Sequence, residues 1–297
     1  MSSRERSEIK KRVQLQSKRR EKSAHPARRA KYSARTADRY ELYQLAVQSP
    51  DTDVEFLVDT FKRLRKRTPY RFREDFCGTA LLSSTWVQQG PKYTAEGFDL
   101  DPDPVAWGLV HNVEKLGKAA TRLTLHLKDV RAAGHATPDI RVAQNFSYCV
   151  FKKRAEMLEY FRAARASLAR DGMFAIDLYG GYEATEEMEE ARRIEEGFTY
   201  VWDQARYVPG TADYLCHIHF RFRDGTRLKK AFTYDWRYWT LAELRDLLFE
   251  AGFARVHSYF EQSDDDDGEG NGEFELDETG ESCADCAGWV AYLVALK

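Results

Sequence analysis

The sequence has no apolar run approaching the roughly 20 residues of a membrane span. Its basic start is followed by no apolar stretch, so a secretory signal is not expected. Cysteine is scarce: Cys77, Cys149, Cys216, Cys283 and Cys286, an odd number at no spacing that suggests a disulfide framework. A reducing, cytoplasmic setting is therefore expected. Neither a Gly-x-x-x-x-Gly-Lys-Ser/Thr loop nor a Gly-x-Gly-x-x-Gly turn occurs, which argues against nucleoside triphosphate and nicotinamide cofactors. The one Cys-x-x-Cys, at Cys283 and Cys286, has no second pair at zinc spacing, so no metal site is expected unless Cys216, His217 or His219 lies beside it. There is no internal repeat.

What is present is unevenly charged. The net charge of −2 averages two opposite ends of a 297-residue chain. Residues 1–40 hold 14 Lys or Arg against 4 Asp or Glu, and residues 263–281 hold 10 acids and no Lys or Arg. Residues 1–36 carry almost no large apolar side chains and read as a disordered basic arm. Such an arm also suits an acidic partner or nucleic acid. The domain proper is expected over residues 37–297, with an acidic loop over about 263–282.

Apolar periodicity begins near Tyr40. One helix is expected through Val47, ended by Pro50, and a second, capped by Asp53, through Leu64. Extended and helical runs then alternate. Strands are expected over 94–99, 123–127, 140–143 and 173–178, with helices starting at Leu81, at Asp101-Pro102 and at Arg154. This order predicts parallel βαβ units. From Phe198 the rhythm changes to three aromatic-rich strands without helices. They are separated by Pro209-Gly210 and Asp224-Gly225, and predict an antiparallel insert over about 198–237. A helix with a capping box at Thr240 and Glu243 and two closing strands follow.

The pivotal stretch is Glu74-Asp75-Phe76-Cys77-Gly78-Thr79-Ala80: an extended segment, an acid pair, a turn of small residues and then an apolar helix. With Gly97-Phe98-Asp99-Leu100-Asp101, Lys128-Asp129-Val130, the segment from Asp139 to Tyr148 and Gly172-Met173-Phe174-Ala175-Ile176-Asp177-Leu178, it resembles the ordered motif series of class I S-adenosylmethionine-dependent methyltransferases. The resemblance covers about residues 40–297. It implies a Rossmann-like, seven-stranded, mostly parallel sheet with helices on both faces, interrupted late in the chain by the insert. It also implies S-adenosylmethionine as cofactor. Glu74, or Asp75 beside it, would meet the amino group, Asp99 the ribose and Asp129 the adenine, with Leu100 and Val130 also against the cofactor, while Gly78 and Phe76 form the turn beneath. The family's Gly-x-Gly-x-Gly turn is altered, with Phe76 and Ala80 standing at the first and third glycine positions.

Asn145-Phe146-Ser147-Tyr148, after the fourth strand, is similar in spacing to the Asn-Pro-Pro-Tyr segment of amino-methylating members, without its prolines. On that resemblance Asn145 borders the cofactor, and Asn145 and Tyr148 orient the acceptor. The resemblance implies methyl transfer to a small molecule, with a lean to nitrogen. The alternatives are an RNA or protein methyltransferase recruited by the basic arm, and a non-catalytic cofactor-binding module. The aromatics of the insert are either a substrate cover or the insert's own core.

Overall fold

The computed structural model describes residues 31–263 and 270–297. Most of the basic arm, residues 1–30, and the start of the acidic loop, residues 264–269, lie outside the described residues.

Helix α1 (Arg39–Val47) starts at Asp38, whose carboxylate accepts from the amides of Tyr40 and Glu41 and so satisfies two of the free donors of the first turn. Pro50 does not merely end α1. It opens α2 (Pro50–Arg65) at the first helical position, where its missing N–H costs nothing. Asp53 therefore lies inside the first turn rather than capping it, and its carboxylate accepts from the Tyr292 hydroxyl at 2.7 Å.

Next come β1 (Arg71–Asp75), α3 (Leu81–Gln88), β2 (Thr94–Asp99), α4 (Pro102–Gly108), β3 (Leu123–Leu127), β4 (Ile140–Ala143), α5 (Arg154–Ser167) and β5 (Met173–Gly180). After the insert the chain returns through α6 (Leu241–Glu250), β10 (Arg255–Ser263), β11 (Gly270–Leu276) and β12 (Trp289–Leu296). The main sheet runs β11-β10-β12-β5-β4-β1-β2-β3. The strands β1 to β5 are parallel, and β12 joins β5 antiparallel. The sheet thus holds the seven expected strands and one more, β11, drawn from the acidic segment. There Phe274 packs against Phe56 and Tyr292 while its charged neighbours stay outside, a composition that suits an edge strand.

One face of the sheet packs on α2 and α3, with Phe72 stacked on Trp86 at 4.6 Å and Leu57 and Phe61 fully buried. The other packs on α5 and α6 through Met157, Phe161, Phe174, Leu244 and Phe253. The polar character of β1 has its explanation on this second face. Asp75 accepts from Arg73 Nε at 2.8 Å, Arg141 Nε at 2.6 Å and Tyr160 Oη at 2.8 Å. The same two guanidinium groups donate to the carbonyl of Val130. All three charges are buried and mutually satisfied, the condition under which buried ions are tolerated.

The insert is a separate antiparallel sheet of four strands: β6 (Met188–Ile194), β7 (Phe198–Val208), β8 (Asp213–Phe222) and β9 (Arg227–Arg237). It begins ten residues before the expected start at Phe198, because β6 is an exposed edge strand of paired charges with no apolar alternation. Its aromatics divide. Phe198, Phe220 and Phe222 form a small core with Tyr32 and Leu42, and Tyr214 and Trp236 turn towards the main sheet. Tyr32, inside the expected arm, is buried edge-on against Phe198, so packing begins before residue 37.

Candidate functional site

The strand order reverses at β1: the chain proceeds from β1 to β2 and β3 on one side, then returns to β4 on the other. In an open α/β sheet such a reversal leaves a crevice at the carboxyl ends of the strands. The stretch from Glu74 to Ala80 forms its floor.

The turn there has positive φ at Phe76 (54°), Gly78 (49°) and Ala80 (55°). These are the three positions at which the resemblance implies glycine. The backbone shape is therefore kept although two of the residues are not, at a cost that only surrounding contacts can offset. Those contacts are present. The amide of Cys77 donates to the carbonyl of Phe98, and the amide of Ala80 to that of Cys77. A side chain on Gly78 would meet no protein atom within 4 Å, so the space above this glycine is open. The Phe76 ring leaves the crevice and joins Phe151 and Tyr160 at 5.9 Å.

The acids divide by role. Glu74, buried, accepts at Oε2 from the amide and hydroxyl of Ser83 at 2.9 and 2.5 Å. Its Oε1 has no hydrogen bond among the described residues. Burial pushes its carboxyl up to about 8, helped by the charges of Asp99 and Asp53. Asp75 belongs to the arginine network and has no capacity left for a ligand. Asp99 accepts from the Gly78 amide at 2.7 Å and from the Asp101 amide at 2.9 Å, and burial raises its pKa. Asp101 caps α4. Leu100 is 67% exposed. Asp129 is held by Arg131 in a two-pronged pair at 2.9 and 2.7 Å, which lowers its pKa. Val130 is buried behind it.

Two further acids reach the crevice that spacing did not single out for the site. Asp53 is pushed up to about 6 by burial. Asp177, a lone acid in the apolar run of β5, is pushed up to about 7 by burial, with Asp53 adding to the shift. Its two oxygens accept from the amides of Asn145 and Phe146 at 2.7 and 3.0 Å. Both of those residues have positive φ, 54° and 57°, so Asp177 fixes the conformation of the loop after β4. Tyr148 follows in that loop. It is buried, and its hydroxyl donates to the Asp177 carbonyl at 2.7 Å.

The same loop walls a narrow cleft between the end of β5 and the insert. Phe146, Tyr148, Tyr179, Tyr214, Trp236 and Tyr238 line it, with Arg237 at its edge. Nε of Arg237 is buried with no partner in hydrogen-bond geometry, and the buried Tyr179 hydroxyl lies beside that of Tyr214. Helix α1 lies over both regions. Gln44 donates to the Thr79 hydroxyl at 2.7 Å, Tyr43 packs on Phe232 of the insert, and Arg192 reaches the Ala46 carbonyl.

The remaining sequence candidates are elsewhere. His217 is buried and bonded to Thr233, and His219 to Asp203. Among the described residues neither Cys283 nor Cys286 falls in a group of three ligating atoms. All five cysteines are free. No helix among the described residues is long and apolar enough to cross a membrane.

No family model matches the chain, and no curated protein sequence does. Solved structures do. An S-adenosylmethionine-dependent methyltransferase from Clostridium acetobutylicum superposes with a TM-score of 0.62 at 14% identity, over 86% of this chain and 96% of that one. An amino pentose methyltransferase from Micromonospora echinaspora, bound to its cofactor, gives 0.59 at 17% identity over 88% and 97%. A sugar N-methyltransferase from Streptoalloteichus gives 0.55 at 16% identity over 93% and 96%. The chain has the class I methyltransferase fold.

Proposed function

We propose that this chain is an S-adenosylmethionine-dependent methyltransferase that methylates a nitrogen of a small-molecule acceptor. The observation that carries the reading is the crevice at the β1–β4 reversal, where Glu74 and Asp99 flank an open Gly78 turn of the family's backbone shape. The residues fit a cationic cofactor. Glu74, Asp53, Asp99 and Asp177 are acids whose pKa values burial raises, and an ammonium or sulfonium charge would relieve that burial. Glu74 Oε1 would take the amino group and Asp99 the ribose diol, while Leu100 and Val130 border the adenine. Asp129 accepts the adenine amino group only by sharing its oxygens with Arg131. When bound, the cofactor supplies an electrophilic methyl group, whose transfer to an amine lone pair breaks the methyl–sulfur bond.

The protein contributes alignment and exclusion of water. Asp177 holds the Asn145–Phe146 turn, leaving the Asn145 side chain to orient the acceptor. Tyr148, anchored by its hydroxyl, acts as an aromatic wall rather than a proton carrier. The aromatic residues around the cleft wall the acceptor, and Arg237 lies at the rim where an acceptor oxygen would approach. The lean to nitrogen rests on the Asn-x-x-Tyr spacing and on the N-methyltransferases among the structural neighbours.

Calorimetry with S-adenosylhomocysteine tests the first half. Binding is expected, and Asp99→Ala should weaken it by about 10- to 100-fold, as for a lost hydrogen bond to a charged group. No binding at millimolar ligand would sink the reading. Mass spectrometry of small-molecule extracts incubated with methyl-labelled cofactor tests the second, with Asn145→Ala expected to lower turnover while cofactor affinity holds.

A further inference from the structure

A second constellation lies on the far side of the sheet from Glu74, where no part of the methyltransferase reading uses it. Glu96 of β2 and His126 of β3 are buried side by side. His135, in the segment between β3 and β4, closes over them. His126 Nε2 is 3.3 Å from Glu96 Oε1, and His135 Nδ1 is 3.7 Å from the same oxygen. The three ligating atoms lie within 4.8 Å of one another. We propose that Glu96, His126 and His135 form a binding site for a single zinc-type divalent ion.

The distances favour a shared ion over direct bonds. A charge-assisted N–H···O bond is about 2.7–2.9 Å long, so 3.3 Å is stretched for one and 3.7 Å is none. Around a tetrahedral ion with bonds of about 2.1 Å, neighbouring ligand atoms sit about 3.4 Å apart. The two observed separations bracket that value. The third edge closes by rotation of the His135 ring, which is 73% exposed and meets the His126 ring edge-on at 4.8 Å. Its exposure also leaves the fourth position open to water.

The surroundings are built to hold the carboxylate. The backbone amide of His135 donates to both Glu96 oxygens at 2.9 and 3.2 Å, fixing it as a metal-binding carboxylate is usually fixed. Gly134 is required there, since a side chain would come within 2.2 Å of Glu96 Oε2. His126 is stacked on Phe98 at 4.3 Å, which fixes the plane of its ring. The neighbouring cation, Arg73, is already satisfied by Asp75 and by the carbonyls of Val130 and Ala132, so it does not claim Glu96. Two imidazoles and one carboxylate suit zinc and its first-row neighbours and not magnesium or calcium.

The other three-residue group among the described residues, Glu189, Asp203 and His219, does not share these features. His219 Nδ1 accepts from the Lys230 amide and its Nε2 faces Asp203. Glu189 is paired with Arg221.

The test uses the full-length chain without an affinity tag, stripped with chelator and titrated with zinc and then with cobalt. One equivalent of zinc is expected to bind in the presence of millimolar magnesium, and cobalt should give the visible absorption of a four-coordinate site. Glu96→Gln and His135→Ala should each weaken zinc by at least about tenfold. His219→Ala and the double variant Cys283→Ser with Cys286→Ser should bind as the parent does. His135 is exposed, so His135→Ala should match the parent's melting temperature in chelator, which separates lost ligation from lost folding. Absence of zinc binding, or binding undiminished in His135→Ala, overturns the proposal. So does loss of binding in the cysteine variant.

Discussion

Glu74 carries the pH behaviour of the crevice. Its folded pKa, about 8, lies above the ordinary 4.5, so between those values the folded protein holds a proton that the unfolded chain has lost. Its contribution to stability is full below the unfolded pKa and disappears as pH rises through the folded one. Asp177, at about 7, works in the same direction. The ligand-free melting temperature should therefore decline as pH rises through this window, and Glu74→Gln should flatten the decline, measured by scanning calorimetry across buffers. Cofactor binding should release protons at neutral pH, because an ammonium against Glu74 favours its ionised form. Calorimetry in buffers of different ionisation enthalpy reads that release, and a buffer-independent heat would contradict it. Of the crevice acids, Glu74 and Asp99 were legible because each ends a strand before a turn. Asp53 was mistaken for a cap, and Asp177 read as one more letter of a motif. Both are brought in by tertiary packing, which spacing along the chain does not encode. Asp75 was legible as an acid at the right place. That Arg141 would consume it was not, since the partner comes from a strand 66 residues away.

Among the elements, the buried network across β1 and β4 and the edge strand β11 make opposite demands. Arg141→Met leaves Asp75 with one guanidinium fewer in a buried position, and should cost about 3–5 kcal/mol in urea unfolding. Replacing Asp75 and both arginines together with apolar residues should cost less than that single change. In β11, Phe274 is half-buried between Phe56 and Tyr292, and Phe274→Ala should cost about 2 kcal/mol, below the range for a fully buried phenylalanine. The acid-rich composition hid this strand, because only Phe274 and Leu276 interrupt the charges. The strand β6 was hidden because its paired charges, Glu189-Glu190 and Arg192-Arg193, leave no apolar alternation. By contrast, α2 was legible from apolar spacing though not from its cap, and Thr240 with Glu243 forms the capping box the sequence announces for α6.

Across the whole molecule, the parallel order of strands followed from their alternation with helices. The turn at Glu74 to Ala80 was legible as the pivotal join, but the strand reversal that opens a crevice above it was not, since that depends on β4 pairing with β1 on the side away from β2. The N-terminal boundary is also a matter of the whole chain. Because Tyr32 is buried against the insert, a deletion of residues 1–30 should leave the melting temperature and cofactor affinity unchanged. A deletion through Thr36 should lower the melting temperature by removing that aromatic contact. If the shorter deletion abolishes turnover on small-molecule extracts while the cofactor still binds, the acceptor is instead recruited by the basic arm.

The turn beneath the crevice has one further implication. Only Gly78 survives of three glycines, yet φ is positive at residues 76, 78 and 80 and at neither residue between them. A comparison made letter by letter passes over this chain, while one made on the signs of backbone torsion angles would collect it. Phe and Ala can hold torsions that usually call for glycine, so chains built on this turn are better sought by their torsions than by their alphabet.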